Sequence, residues 1–433
     1  MSQTLAYILG IIVLIVGVAV SVALHELGHM IPAKRFGVKV PEYFIGFGPR
    51  VWSMKRGETE YGVKAIWLGG YVKLLGMLPP APPGRVDKPG SMVADARQES
   101  LAELGPDEQD RAFYRLSVPR KLLVMAGGIL TNLALGIVCL VLALGVVGQY
   151  THTSTISSVS ACVPAELASS STSGPECADT DPVSPAVTAG LQAGDEIISW
   201  NGTPTPAWTD VQAAILAGGT EPIDVVVRRD GAETTLRVTP VEIERSVTAS
   251  DGTTSTESAP YVGIGPAKGT VRVPFSQIPG AVAVAVGQTL KAIFTLPVGL
   301  YHSVAAGLGL EQRNPGGLVS LVGVGRIAGE VSSAGAGSGT VPFSARLFSM
   351  LSLLGSLNLA LFAFNLIPLL PLDGGHVAGA LWEGARRRIA RRRGRPDPGY
   401  VDTARMLPVG QVVFVLLIIM TLVLVWVDVV APL

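Results

Sequence analysis

Charge is what this chain of 433 residues has least of: 15% are Asp, Glu, Lys or Arg, against 48% hydrophobic residues. So small a charged complement excludes an ordinary soluble enzyme and points to an integral membrane protein carrying at least one soluble domain. The net charge is zero, so overall balance selects no partner and gives no reason to expect nucleic acid; only the distribution of charge is informative. The N-terminus lacks both the basic stretch and the small-residue cleavage site of a secretory signal. Leu5–Leu24 is therefore read as a retained transmembrane helix. The repeat symmetry common in transporter folds is also missing, which argues against a transporter. Cysteine is nearly absent, with three residues.

What is present begins with apolar runs. Leu5–Leu24, Leu122–Val147, Leu347–Leu366 and Val409–Val427 each reach the length of a membrane span. Ile278–Val304 is apolar too, but Gln288, Lys291 and His302 interrupt it, so it reads as an interfacial helix or as a fifth span. Basic residues gather between the first and second spans (Lys34, Arg35, Arg50, Arg115, Arg120) and between the third and fourth (Arg386, Arg387, Arg388, Arg391, Arg392, Arg393). By the positive-inside rule both segments are cytosolic, and the N-terminus, the region after the second span and the C-terminus lie outside.

The expected fold is a polytopic α-helical membrane protein with four transmembrane helices, a small membrane-associated β-sheet and an inserted extracytoplasmic PDZ (α+β) domain. The first transmembrane helix occupies 1–30, the sheet region 31–78 and a flexible cytosolic loop 79–120. The second helix occupies 121–148, the PDZ domain with a cysteine-bearing insertion 151–266, and an interfacial helix with connecting region 273–340. The third helix occupies 346–376, a basic cytosolic loop 377–406 and the fourth helix 407–430. The PDZ reading rests on Ala189-Gly190-Leu191-Gln192-Ala193-Gly194-Asp195, the strand after it, the Asn201-Gly202 turn and the helical stretch near Trp208–Ala217. Such a domain binds an extended peptide at a sheet edge or acts only as a steric filter. Cys162 and Cys177, on the oxidising side, are candidates for a disulfide, and Cys139 in the second span for packing.

One short motif carries chemistry. His25-Glu26-Leu27-Gly28-His29 stands at the end of the first apolar run. Four residues apart on a helix, the two imidazoles share a face and can reach one metal ion, and Glu26 can take a proton from a water that the metal polarises. A catalytic zinc takes three protein ligands. The third must lie at the same membrane depth, where the first and third spans both run inward. Leu372-Asp373-Gly374-Gly375-His376 stands there, offering Asp373 or His376, and a carboxylate in lipid is costly without a cation or partner.

Together, the HELGH motif, Gly46-Phe47-Gly48, a PDZ domain between the second and third spans, and Asn365…Pro368…Leu372-Asp373-Gly374 resemble the site-2 protease family, and most nearly its bacterial RseP-like branch. The resemblance covers nearly the whole chain. It implies an intramembrane zinc metalloendopeptidase of the bacterial plasma membrane. One Zn2+ per chain would be held by His25, His29 and Asp373, with Glu26 as general base. Asn365 would bond substrate backbone or the developing oxyanion, with helix packing as the alternative. Gly46, Gly48, Gly69, Gly70 and Tyr71 would hold substrate as an added strand. Expected partners are the lipid bilayer, single-pass membrane proteins such as anti-sigma factors already stripped of their outer domains, and a peptide ligand of the PDZ domain. The rival is a PDZ-based scaffold or chaperone with a vestigial metal site, although such a site has no need of Glu26.

Overall fold

A computed structural model of the chain describes residues 2–82, 84–163, 177, 181–248, 254–336 and 338–432. It divides into two compact units, Met1–Val147 with Val273–Leu433, and Gly148–Arg272. Most of the cysteine-bearing insertion and the terminal Leu433 lie outside the described residues.

The first unit opens with α1 (Gln3–Arg35). The side chain of Ser2 accepts the Leu5 N–H at 3.3 Å and caps the helix. Lys34 and Arg35 occupy its last turn, where the helix dipole favours cations. The helix therefore runs a turn beyond the expected boundary at residue 30. Two strands follow, β1 (Glu42–Arg56) and β2 (Thr59–Lys73). They pair about Gly57-Glu58, and β2 then curls so that Glu42–Ile45 is registered with both Glu60–Val63 and Gly70–Lys73. The curl needs glycine. Gly46 has φ +88°, and a Cβ there would lie 2.6 Å from the Ile66 carbonyl oxygen.

The flexible loop expected at 79–120 is corrected by α2 (Met92–Ala102). Ser91 caps it by accepting the Ala94 N–H at 3.2 Å. Arg97 is buried and fixes it, pairing with Asp87 and Asp402 at 2.8 Å each and with the Pro79 carbonyl. A buried guanidinium demands several acceptors, and these come from segments far apart in sequence, which local pattern does not reveal. Next, α3 (Val118–Val141) widens into a π-helical turn at Leu142–Val147.

The second unit contains β3 (Gln149–Val159), α4 (Pro185–Thr188), β4 (Glu196–Trp200), β5 (Thr203–Pro204), α5 (Trp208–Gly218), β6 (Ile223–Arg229), β7 (Ala232–Val238), β8 (Val241–Thr248), β9 (Thr254–Tyr261) and β10 (Ile264–Val271). One sheet has the order β10-β3-β4-β6-β7, with β5 beside β4; β8 and β9 form a separate antiparallel pair. Alternate residues of β6 (Ile223, Val225, Val227) are buried with Ile156, Ile197, Trp200 and Val211 in one apolar core. Cys162 and Cys177 are joined by a disulfide, and Cys162 bridges to Val183.

The chain then returns to the first unit. Instead of one interfacial helix, Ile278–Val304 lies in two, α6 (Ile278–Phe294) and α7 (Leu296–Gly307), bent by 74°. Pro297, unable to donate a backbone bond but suited to a first turn, begins the second. The connecting region holds a further helix, α8 (Leu321–Ser333), whose Val324 and Ala328 pack with Leu14 and Met350. The third long helix, α9 (Phe343–Asn365), stops at Asn365 rather than continuing to 376. Pro368 and Pro371 follow, and a new helix, α10 (Asp373–Arg392), starts at the aspartate. This corrects the basic loop at 377–406: Arg386 to Arg392 are helical, and the chain leaves regular structure only at Gly394 and the prolines after it. Glu383 of α10 is buried against Lys121 at 2.8 Å and Arg387 at 3.2 Å. The last helix is α11 (Leu407–Val430).

Among the described residues, four helical stretches are long and apolar enough to cross a membrane: Gln3–Arg35, Val118–Val147, Phe343–Asn365 and Thr403–Val430. The bent pair α6–α7 is a fifth if it counts as one span.

Candidate metal centre

His25 and His29 occupy successive turns of α1 and place their Nε2 atoms 3.3 Å apart. Oδ2 of Asp373 lies 3.3 Å from the first and 3.2 Å from the second. The three atoms form a nearly equilateral triangle. A tetrahedral ion with ligands at about 2.0 Å has ligand–ligand edges of about 3.3 Å. Asp373 Oδ2 is buried, and no hydrogen bond of good geometry reaches it. Two neutral imidazoles, a carboxylate and this spacing fit zinc. No other cluster of three His, Cys, Asp or Glu side chains with this property occurs among the described residues.

Asp373 is delivered by a tight chain reversal. A Cβ on Gly374 would stand 2.8 Å from the Asn365 carbonyl oxygen, and one on Gly375 would stand 2.7 Å from the Leu370 backbone nitrogen. Only glycine lets α10 begin so close to the end of α9. Helix α3 supplies the far side of the histidine pair. It crosses α1 at glycines: a Cβ on Gly28 would meet the Gly127 carbonyl oxygen at 2.5 Å, and one on Gly128 would collide with the His29 ring. That approach brings the Val124 carbonyl within 2.8 Å of His29 Nδ1 and the Asn132 carboxamide within 3.0 Å of His25 Nδ1. Sequence reasoning missed both. The available signal was an Asn in an apolar span, where an unpaired amide is costly.

Glu26 and His376 line a cavity of about 140 Å³ with His29, Asp373, Val72, Met77 and Pro371. The sheet meets α1 here. A Cβ on Gly70 would lie 3.5 Å from Glu26 Cγ, and Val72 lines the same cavity as Glu26. His376 reaches the cavity but is not one of the three converging donors. Tyr71 takes the opposite face, as strand alternation requires. Its hydroxyl donates to Glu42 at 2.6 Å and accepts from Lys64 at 3.1 Å, and its ring stacks on Phe44. Burial, then the Glu42 carboxylate, hold its phenol above the ordinary value, so it stays a donor. Tyr43 donates to the Ala23 carbonyl at 2.7 Å, and burial pushes its phenol up to about 12.

Gly48 and Gly69 stand at the curl of the sheet with φ +85° and +127°. Asn365 is the last residue of α9, and its backbone carbonyl faces Gly374; its side chain is not among the cavity-lining groups. Asn358, one heptad earlier, is packing glue: it donates to Ser21 Oγ on α1 at 3.0 Å.

A carboxylate and two imidazoles converging on one point, with a second carboxylate in the same cavity and membrane-length helices carrying them, define a membrane metalloenzyme. The comparisons specify which kind. Residues 13–397 match the model of peptidase family M50. The chain is 34% identical over 442 residues to the zinc metalloprotease Rip1 of Mycobacterium tuberculosis, covering 98% of each protein. It is 32% identical over 443 residues to Rip1 of Mycolicibacterium smegmatis, again covering 98% of each, and 26% identical to the metalloprotease MmpA of Caulobacter vibrioides over 89% of each. The chain belongs to peptidase family M50 and is a zinc metalloprotease of the site-2 type. That membership favours an enzyme over the scaffold reading.

Proposed function

We propose that the chain is an intramembrane endopeptidase holding one zinc ion through His25, His29 and Asp373, with Glu26 as its general base. The observation that carries this reading is the triangle of donor atoms, 3.2 to 3.3 Å on each edge, opening on the cavity that Glu26 lines. Bound zinc would supply a Lewis acid for the peptide carbonyl and would acidify the attacking water. Glu26 takes the proton of that water and returns it to the leaving amine. The absence of a side chain at Gly70 lets the sheet edge pass close to Glu26.

A helical substrate hides its carbonyls in its own hydrogen bonds, so it must unwind before hydrolysis. We assign the Gly69–Lys73 edge, supported by the Gly46 and Gly48 curl, as the strand that receives the unwound segment. The Asn365 side chain is assigned to substrate backbone or the oxyanion. The second unit, with its short helix, Gly-Asp turn and five-strand sheet path, is read as a PDZ domain on the extracytoplasmic face. There it binds a peptide or excludes substrates that still carry bulky outer domains. Single-pass membrane proteins, anti-sigma factors among them, are the proposed substrates, cut near the cytosolic face of the plasma membrane.

Glu26→Gln in the full chain tests this, with a co-expressed single-pass reporter. Removing a general base costs about 10² to 10⁴ in rate. Cleavage should fall by that factor while zinc content and thermal stability stay at parental levels. Cleavage at the parental rate overturns the assignment.

A further inference from the structure

Each metal-facing imidazole has a second nitrogen that must be satisfied, and the two rings solve this differently. His29 Nδ1 lies 2.8 Å from the Val124 carbonyl oxygen, which only accepts, so this nitrogen carries the proton and Nε2 keeps its lone pair. His25 Nδ1 lies 3.0 Å from the carboxamide nitrogen of Asn132. A donor in that place would leave the proton on Nε2, the nitrogen that faces Asp373 at 3.3 Å. That tautomer cannot bind a metal through Nε2. The same carboxamide has an oxygen that is buried without a hydrogen-bond partner, on a residue only 1% exposed. Turning the carboxamide by 180° resolves both difficulties, because its oxygen then accepts the Nδ1 proton.

We propose that Asn132 is a positioning residue: its carboxamide oxygen takes the Nδ1–H of His25 and so presents the Nε2 lone pair of that ring to the metal. The inference rests on the proposed ligand set. It is specific to one ring, because the acceptor for His29 is main chain and survives any side-chain substitution at 132. It also explains why α3 approaches α1 so closely at Gly28 and Gly127: the acceptor must come from a neighbouring helix at the depth of His25. The competing role is a polar contact that only holds α1 to α3, for which the metal is irrelevant.

The test uses the full chain in detergent, stripped of metal and titrated with zinc against a chelator of known affinity. Asn132→Leu keeps the branched shape and removes the acceptor; Asn132→Asp keeps the acceptor. Loss of an outer partner of a metal-bound histidine costs about 10- to 100-fold in metal affinity. N132L should bind zinc more weakly by that factor, with an altered visible spectrum when loaded with cobalt. N132D should bind within about threefold of the parent, on the same scale. N132L matching the parent, or N132D as weak as N132L, overturns the proposal and assigns Asn132 to packing. If N132L does not accumulate, Asn132→Ala against N132D is decided by the same ratio. Parental protein that binds no zinc would overturn the ligand set itself, a separate result.

Discussion

Two aspartates, one in each compact unit, show how surroundings separate a structural carboxylate from a chemical one. Asp195, in the second unit, is 1% exposed and saturated. Arg229 donates to both its oxygens at 2.7 Å, and the Gln192 N–H donates at 2.9 Å. This ties the turn before β4 to the end of β6, and the Arg229 guanidinium holds the carboxyl below its ordinary value. Asp373, in the first unit, has a buried oxygen that no well-aligned donor reaches, aimed at two imidazole nitrogens. A divalent cation shared by the carboxylate and both imidazoles would satisfy all three groups at once. Asp195 meets an arginine and a backbone N–H and holds a turn to a strand. Asp373 meets two side chains that are themselves metal-ligand types, and that company fits an ion-binding role.

Substitution at each aspartate should have opposite consequences, and the largest effect falls on Asp373. Asp373→Asn keeps the shape and removes the charge. Zinc affinity should fall by more than about 100-fold, beyond the loss of an outer partner, and reporter cleavage should become undetectable. Amide exchange in the second unit should be unchanged. Zinc retained at parental affinity would break the comparison.

Asp195→Asn should do the reverse. Breaking a charge-assisted buried pair whose arginine is partly exposed costs about 2 kcal/mol. Hydrogen exchange of residues in β4 and β6 should accelerate accordingly, while metal content stays at parental levels. A drop in zinc binding would show that Asp195 is more than structural.

The smallest effect is one of pH. Because the folded-state carboxyl of Asp195 titrates below its unfolded value of 3.8, its contribution is complete above that pH and is lost as pH falls further, toward the folded-state value. Protection of the β4 and β6 amides, measured relative to their intrinsic exchange rates, should therefore fall below about pH 4 in the parent and less so in D195N. An equal loss of protection in both would remove Asp195 from the account.

How much of this was legible in advance differs by element. The HELGH spacing needs only helical geometry, and a helix there follows from an apolar run closed by Lys34 and Arg35. Depth of insertion paired Asp373 with it. The helix expected to reach 376 ran through a break that Pro368 and Pro371 signal, and the helix that resumes at the aspartate was not legible. The helical course of 92–102 and of the Arg-rich stretch went unread, because Arg97, Lys121 and Glu383 find partners that sequence distance conceals. A basic run looks the same whether it caps a loop or lines a helix pinned by one buried glutamate.

By itself, then, the sequence determined which groups could do chemistry and in what order along the membrane they would come. Period, charge bias and helix breakers are local properties, and they suffice for that. Only the tertiary structure decided that three atoms from α1 and α10 stand at the edge length of a metal tetrahedron. The same holds for the glycine crossing of α3 that brings Val124 and Asn132 to the far nitrogens of the histidines. Convergence of that kind depends on how closely helix backbones approach, and that distance is set by side chains absent at Gly28, Gly127 and Gly374.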